Sequence, residues 1–225
     1  MKILLLAAMD KEIDLILNIL QNPGENIESG IKFWHGKIGN NQVTLTKCGI
    51  GKVNSALNTL KLIQLIHPDM VINSGVAGGA GIPIGSILVA NRVAYHDVWC
   101  GPGTEYGQAD GIPLFMLPSD KILEIIEKND FDTKPVEGLI CSGDKFISTA
   151  EEIHFIRNRF PDVKAVDMES ASIAQTCYIT GTPFAIIRVV SDTPGEGENI
   201  SQYKDFWTLA PKKIFAILKA ILENL

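Results

Sequence analysis

The run Thr182-Pro183-Phe184-Ala185-Ile186-Ile187-Arg188-Val189-Val190 constrains the fold more than any other segment. It is apolar and β-branched, with proline near its start, and it gives way to Ser191-Asp192 and then to glycine and acidic residues. Such a run reads as a strand buried on both faces, as in an α/β sheet covered by helices. Ligands of open α/β sheets bind beyond the carboxyl ends of the strands. Asp192, with Arg188 a few residues behind it, is therefore placed to face a ligand. The plainer alternative is that Asp192 only caps the following turn.

Around this run, strand and helix patterns alternate. Strands are expected at 2–8, 31–37, 41–48, 69–74, 85–97, 136–142, 163–167 and 183–190, and helices at 10–21, 52–66, 118–129, 149–159, 168–180 and 201–224. Leu209, Ile214, Ile217, Leu218, Ile221, Leu222 and Leu225 give the last helix a one-sided stripe suited to docking on a sheet. Hairpin-like early strands followed by α/β alternation predict an α/β fold with a mixed sheet covered on both faces. No linker or repeat interrupts the pattern, so 1–225 reads as one domain.

Composition excludes several function classes. The net charge is −6 and the only basic cluster is Lys212-Lys213, so no positive stripe is available for a nucleic-acid backbone. No apolar run is long enough to span a bilayer, and Asp10-Lys11-Glu12 interrupts the apolar start too soon for a signal peptide. Cys48, Cys100, Cys141 and Cys177 lie far apart, which predicts reduced thiols in a cytoplasmic protein. His35, His67, His96 and His154 are equally dispersed, and neither a metal nor another cofactor is expected.

Two glycine-rich segments mark strand ends: Cys48-Gly49-Ile50-Gly51-Lys52 before a helix, and Asn73-Ser74-Gly75-Val76-Ala77-Gly78-Gly79-Ala80-Gly81, expected as a turn after a strand. Glycine lets a ligand approach the backbone closely. Neither segment is a P-loop, neither fits a dinucleotide fingerprint, and no G-x-S-x-G is present. Three carboxylates discriminate better: Glu12 just past the first strand, Glu169 where a short strand enters a helix, and Asp192. Each alone is commonly a solvated acid at a helix N-terminus. Together, at the ends of three strands, they could line a pocket for a glycosidic ligand. One carboxylate can hold two ribose hydroxyls, a second can activate water, and a third can protonate a leaving group.

Met9 to Glu12, Gly49-Ile50-Gly51-Lys52, Asn73 to Gly79, Tyr95-His96-Asp97 and Glu105-Tyr106-Gly107-Gln108 occur in one collinear series with Ser142-Gly143-Asp144-Lys145-Phe146-Ile147, Asp167-Met168-Glu169-Ser170 and Arg188 to Asp192. Over nearly the whole chain this series resembles the methylthioadenosine/S-adenosylhomocysteine nucleosidases of the nucleoside phosphorylase/hydrolase superfamily. The resemblance implies a three-layer α/β/α fold around a mixed, partly barrel-like sheet. It also implies a homodimer that clears methylthioadenosine, S-adenosylhomocysteine and 5'-deoxyadenosine in methionine salvage and the methyl cycle. Asp192 would then protonate N7 of adenine, oriented by Ser191, while Glu12 activates water positioned with Arg188. Glu169 would hold the ribose hydroxyls, with Met168 against the sugar. Phe146 would stack on adenine and the Ile147 backbone would read its edge. Val76 stands in the pocket where relatives carry serine. Met9, Ile50 and Tyr203 would line the 5' end, which Pro102 and Asp110 of the partner subunit would complete.

Three rival readings share much of this apparatus. A phosphorolytic nucleoside phosphorylase would need cations for a phosphate dianion, yet the first arginine in the chain is Arg92 and Glu12 would repel the anion. An aminodeoxyfutalosine hydrolase would use nearly the same residues. A silent nucleoside-binding or storage protein would need neither Glu12 nor Asp192.

Overall fold

The computed structural model describes all residues except 130, 132–133, 197–198 and 210, together with all side chains outside 207–216. Nine strands and seven helices follow one another among the described residues. They are β1 (Lys2–Ala7), α1 (Asp10–Leu17), β2 (Gln21–Glu28), β3 (Ile31–Ile38), β4 (Asn41–Lys47), α2 (Lys52–Ile66), β5 (Met70–Gly79) and β6 (Ile87–Tyr95). The second half holds α3 (Asp120–Lys128), β7 (Val136–Ser142), α4 (Ala150–Arg159), β8 (Val163–Asp167), α5 (Ser170–Thr180), β9 (Phe184–Asp192), α6 (Asn199–Leu209) and α7 (Pro211–Asn224).

Five strands close on themselves in the order β5-β8-β7-β6-β9, because β9 pairs both with β6 and, in parallel, with β5. From β5 the sheet continues outward through β1, β4, β3 and β2. β1 is parallel to both β4 and β5, whereas β2, β3 and β4 are antiparallel neighbours. The sheet is thus mixed and partly a barrel, as expected.

The layering follows from the two-residue period of a strand. In β1, Ile3, Leu5 and Ala7 pack with Ile13 and Ile16 of α1, Ile122 of α3 and Leu218 and Leu222 of α7. Leu4 and Leu6 face the other way, onto Leu62 of α2 and Ile173 and Cys177 of α5. Both faces being covered, β1 reads as a continuous apolar run. Each fully buried leucine contributes roughly 1.5–3 kcal/mol. No helix among the described residues is long and apolar enough to cross a membrane.

The chain departs from the sequence expectation in four places. The first helix ends at Leu17 rather than 21, and Gln21–Glu28 forms an edge strand that was not expected. Every β2 residue is exposed and the strand contains Asn22-Pro23-Gly24, so no burial pattern announces it. Its register shifts between Gln21 and Gly24, which accommodates a proline at a sheet edge. Gly75–Gly79, expected as a turn, continues β5 and pairs with β9 and β8. Likewise β9 runs on through Ser191 and Asp192. The expected helix 201–224 is two helices, the second opened by Pro211, where a missing N–H costs nothing. The Leu209 and Ile214 side chains of its stripe lie outside the described ones, as do Gly197 and Glu198 of the acidic loop.

Candidate active site

Glu12 lies one turn into α1, on the helix that starts where β1 ends, and its carboxylate turns back to hold that junction together. Oε2 accepts the N–H groups of Ala8 (2.7 Å) and Met9 (3.1 Å), and Oε1 accepts that of Val76 (3.1 Å) in β5. The carboxylate reaches β5 only because residue 75 is glycine: a Cβ there would come within 2.7 Å of Oε1. Burial pushes the Glu12 pKa up; the Arg188 charge and the three N–H groups pull it down. The balance is a base stronger than a surface glutamate, held in the orientation of an ionised acceptor.

Glu169 follows β8 and immediately precedes α5. Its Oε1 accepts the Gly51 N–H at 3.0 Å, so the glycine-rich start of α2 and the end of β8 meet on this carboxyl. Burial, then the neighbouring Asp167, raises its pKa to about 7. Asp167 is itself committed to the interior. It takes Arg188 Nε at 2.8 Å and Nη2 at 2.8 Å, and the hydroxyls of Ser142 and Ser170. Arg188 also donates to the backbone and side-chain oxygens of Asn73. Arg188 is therefore beneath the site rather than on its wall, and it acts on Glu12 and Glu169 through its charge.

The raised pKa of Glu169 has a consequence for stability. Between about 4.5 and about 7 the folded chain holds a proton that the unfolded chain has released, so stability falls as pH rises through this window. Glu169→Gln keeps an acceptor for Gly51 and removes the cost. At pH 8 the variant is expected to gain up to about 3 kcal/mol in urea unfolding. The gain should vanish at or below pH 4.5, and a pH-independent difference would contradict this origin.

Asp192 ends β9 and is buried. Oδ1 accepts the Ser191 hydroxyl at 2.7 Å, and Oδ2 accepts Asn199 Nδ2 at 3.3 Å. Burial raises its pKa, against the two hydrogen bonds. The same Asn199 Nδ2 donates to the Ile147 carbonyl at 3.3 Å, which ties this acid to the loop before α4. Asn199 was not a candidate from sequence. Nothing in Glu198-Asn199-Ile200 separates it from a helix-start asparagine.

The three carboxyls open onto one half-open cavity. It is lined by the sequence candidates Met9, Ile50, Val76, Phe146, Ile147, Met168, Ser191 and Tyr203. Phe146 and Ile50 are half-exposed, and Tyr203 meets Phe146 edge-on with centroids 5.7 Å apart. Ala77 and Gly78, of the glycine-rich segment marked in the sequence, also line the cavity, together with Lys145 and Val166, which were not among the site candidates. Gly78 has the same signal as Gly75, since a Cβ there would lie 2.7 Å from Pro194 Cγ. Pro102 and Asp110 do not line this cavity within one chain. Their segment carries Trp99, 60% exposed and so not covering its own core. Among the described residues no group of His, Cys, Asp or Glu could hold a metal ion.

A sequence profile of the Phosphorylase superfamily matches residues 2–223. The 5'-methylthioadenosine/S-adenosylhomocysteine nucleosidase of Glaesserella parasuis serovar 5 (strain SH0165) is 38% identical over 231 residues, covering 100% of this chain and 99% of the relative. The crystal structure of S-adenosylhomocysteine nucleosidase from Streptococcus pyogenes, in complex with 5-methylthiotubericidin, has a TM-score of 0.94 at 34% identity, covering 100% of this chain and 97% of that one. A futalosine hydrolase mutant of Helicobacter pylori has a TM-score of 0.92 at 29% identity, covering 100% and 99%. With full-length coverage, 38% identity and a matching barrel, the chain belongs to the 5'-methylthioadenosine/S-adenosylhomocysteine nucleosidase family of the phosphorylase superfamily.

Proposed function

We propose that this chain hydrolyses the N-glycosidic bond of 5'-methylthioadenosine and S-adenosylhomocysteine and releases adenine. The observation that carries the reading is a pair of carboxyls buried on one cavity, both with pKa raised by burial, one of them beside a hydroxyl that can reverse its hydrogen bond. Glu12 is held by three N–H groups that suit an anion, and Asp192 by a hydroxyl and an amide. Three fixed N–H donors suit Glu12 as an ionised base, and a Ser191 hydroxyl that can turn to accept suits Asp192 as a protonated acid.

In the proposed reaction the water oxygen bonds to C1' of the ribose and its proton passes to Glu12. The C1'–N9 bond breaks and its electron pair leaves with adenine, which takes the Asp192 proton at N7. Ser191 accommodates both states of the acid. Its one hydroxyl hydrogen lies within reach of Asp192 Oδ1 (2.7 Å) and the Ala77 carbonyl (3.3 Å). Turned to Ala77, the hydroxyl oxygen accepts from protonated Asp192; turned back, it donates to the carboxylate left behind. Glu169 holds the ribose hydroxyls, and the negative lining favours the oxocarbenium-like transition state. Phe146 stacks on the base, the Ile147 backbone meets its edge, and Met168 and Val76 pack around the sugar.

Hydrolysis is favoured over phosphorolysis by the charges on the wall. Four carboxyl groups, Glu12, Asp167, Glu169 and Asp192, line the cavity, Glu12 as the ionised base and Asp192 holding its proton, and the one described cation there, Lys145, is ion-paired with Glu152. A phosphate dianion has no clamp there. The apolar Met9 and Ile50 favour an alkylthio group over the polar 5' extension of a futalosine. Adenine release from methylthioadenosine is expected at full rate in phosphate-free buffer. Strict phosphate dependence, with a sugar 1-phosphate as product, would falsify the reading.

The proposal extends to context. Residues 1–225 act as one nucleosidase domain in the cytoplasm, in methionine salvage and by-product clearance; four unpaired cysteines accord with that compartment. Exposed Trp99, Val53, Leu57 and Ile179 support a homodimer in which Pro102 and Asp110 reach the partner's 5' pocket. Light scattering at assay concentration tests this: a fully active monomer rules out the shared pocket.

A further inference from the structure

The start of α2 is held from two sides. The Gly51 N–H donates to Glu169 Oε1 at 3.0 Å, and the next N–H, that of Lys52, donates to Asp144 Oδ1 at 2.7 Å. Gly51 stands at the cap position with φ +87 and has no side chain to cap with, so two acids from elsewhere in the chain take these N–H groups. Asp144, just past β7, is braced in turn. Its own N–H donates to Asp97 Oδ2 at 2.8 Å, and the same oxygen takes Lys52 Nζ at 2.8 Å. Asp97, Lys52 and Asp144 thus close a ring that joins the ends of β6 and β7 to the start of α2. Two glycines make room for it: a Cβ on Gly51 would lie 2.9 Å from Asp144 Oδ1, and one on Gly143 would lie 2.7 Å from Asp97 Cγ.

None of the three ring residues lines the cavity. Their side chains are 25%, 28% and 48% exposed, and ion pairs that wet add little stability. What the ring does fix is a position, because the peptide it grips is one residue from the N–H on which the Glu169 carboxyl rests. We propose that Asp144, braced by Asp97 and Lys52, is a positioning residue for the ribose. It holds the Gly51 peptide and, through it, the direction in which Glu169 presents its carboxyl to the substrate hydroxyls. The inference rests on the nucleosidase reading, in which Glu169 holds the ribose. Hydrogen bonds to a sugar hydroxyl strengthen in the oxocarbenium-like transition state, so a small displacement of their acceptor is felt in the rate.

The experiment measures kcat/KM of the wild type, Asp144→Ala and Asp144→Asn on methylthioadenosine and on its 2'-deoxy and 3'-deoxy analogues. On methylthioadenosine Asp144→Ala is expected to lose about tenfold, the worth of one hydrogen bond to the ribose. Asp144→Asn keeps an acceptor for the Lys52 N–H and should stay within about threefold of the wild type. On at least one deoxy analogue the loss in Asp144→Ala should shrink to within about threefold, since the hydroxyl that a displaced Glu169 fails to hold is missing. A helix cap with no part in substrate placement predicts an equal loss on all three substrates, and that result overturns the inference, as does a fully active Asp144→Ala. If Asp144→Ala does not fold, Lys52→Met removes only the brace and must show the same substrate-selective loss; a loss equal on all three substrates, or none, overturns the inference in that variant too. A wild type inactive on methylthioadenosine overturns the nucleosidase reading itself.

Discussion

Asp192→Asn is expected to slow adenine release by about 10²- to 10⁴-fold while leaving substrate binding largely intact. The asparagine amide keeps the shape of the carboxyl and both of its contacts. Its oxygen can accept from Asn199 Nδ2, and its NH₂ can donate to Ser191, whose hydroxyl is free to turn toward the Ala77 carbonyl. What it lacks is a proton to give. An adenine anion is a poor leaving group, so the loss should fall on bond cleavage and be read in single-turnover experiments rather than in KM. A riboside whose leaving group departs without protonation should recover most of the rate. In the wild type the same acid sets the basic limb of the pH profile, because a pKa raised by burial keeps Asp192 protonated to higher pH than a surface aspartate. Near wild-type single-turnover rates in the asparagine variant would remove Asp192 from this role.

Much of this site is legible in sequence, for a reason that particular residues make plain. A strand buried on both faces must be apolar throughout, so Phe184–Val190 and Ile3–Leu6 announce themselves, and the acids that follow such runs stand out by contrast. Edge strand β2 buries nothing and carries no such signature. Gly75–Gly79 misleads because glycine usually signals a turn, whereas here it thins a strand so that Glu12 and Pro194 can lie against it. Asn199 and Lys145 were not visible because their importance is a matter of partners brought from elsewhere in the chain. Asn199 joins Asp192 to Ile147, 52 residues apart from it in sequence. The position of Arg188 shows the converse limit. Its place on β9 was clear, but strand alternation does not say whether a buried cation faces a cavity or an internal aspartate, and here it faces Asp167.

Glu12→Gln is expected to cost at least as much as the Asp192 change, about 10³-fold or more, because it removes the base and also disturbs its cradle. The carboxylate accepts from Ala8 and Met9 on one oxygen and from Val76 on the other. A glutamine has one acceptor oxygen, so its NH₂ must point at an N–H donor on one side or the other, leaving a buried conflict at the floor of the site. Glycine 75 separates these two contributions. Gly75→Ala retains every titratable group but places a methyl within 2.7 Å of Glu12 Oε1, so the base must move. That variant should lose activity to an intermediate degree while preserving the acid limb assigned to Glu12, whereas Glu12→Gln should abolish the limb. Pre-steady-state adenine release between pH 5 and pH 9 measures both. If Glu12→Gln turns over at near wild-type rate, water is activated by another group; if Gly75→Ala is fully active, the position of the Glu12 carboxylate is not what the chemistry requires.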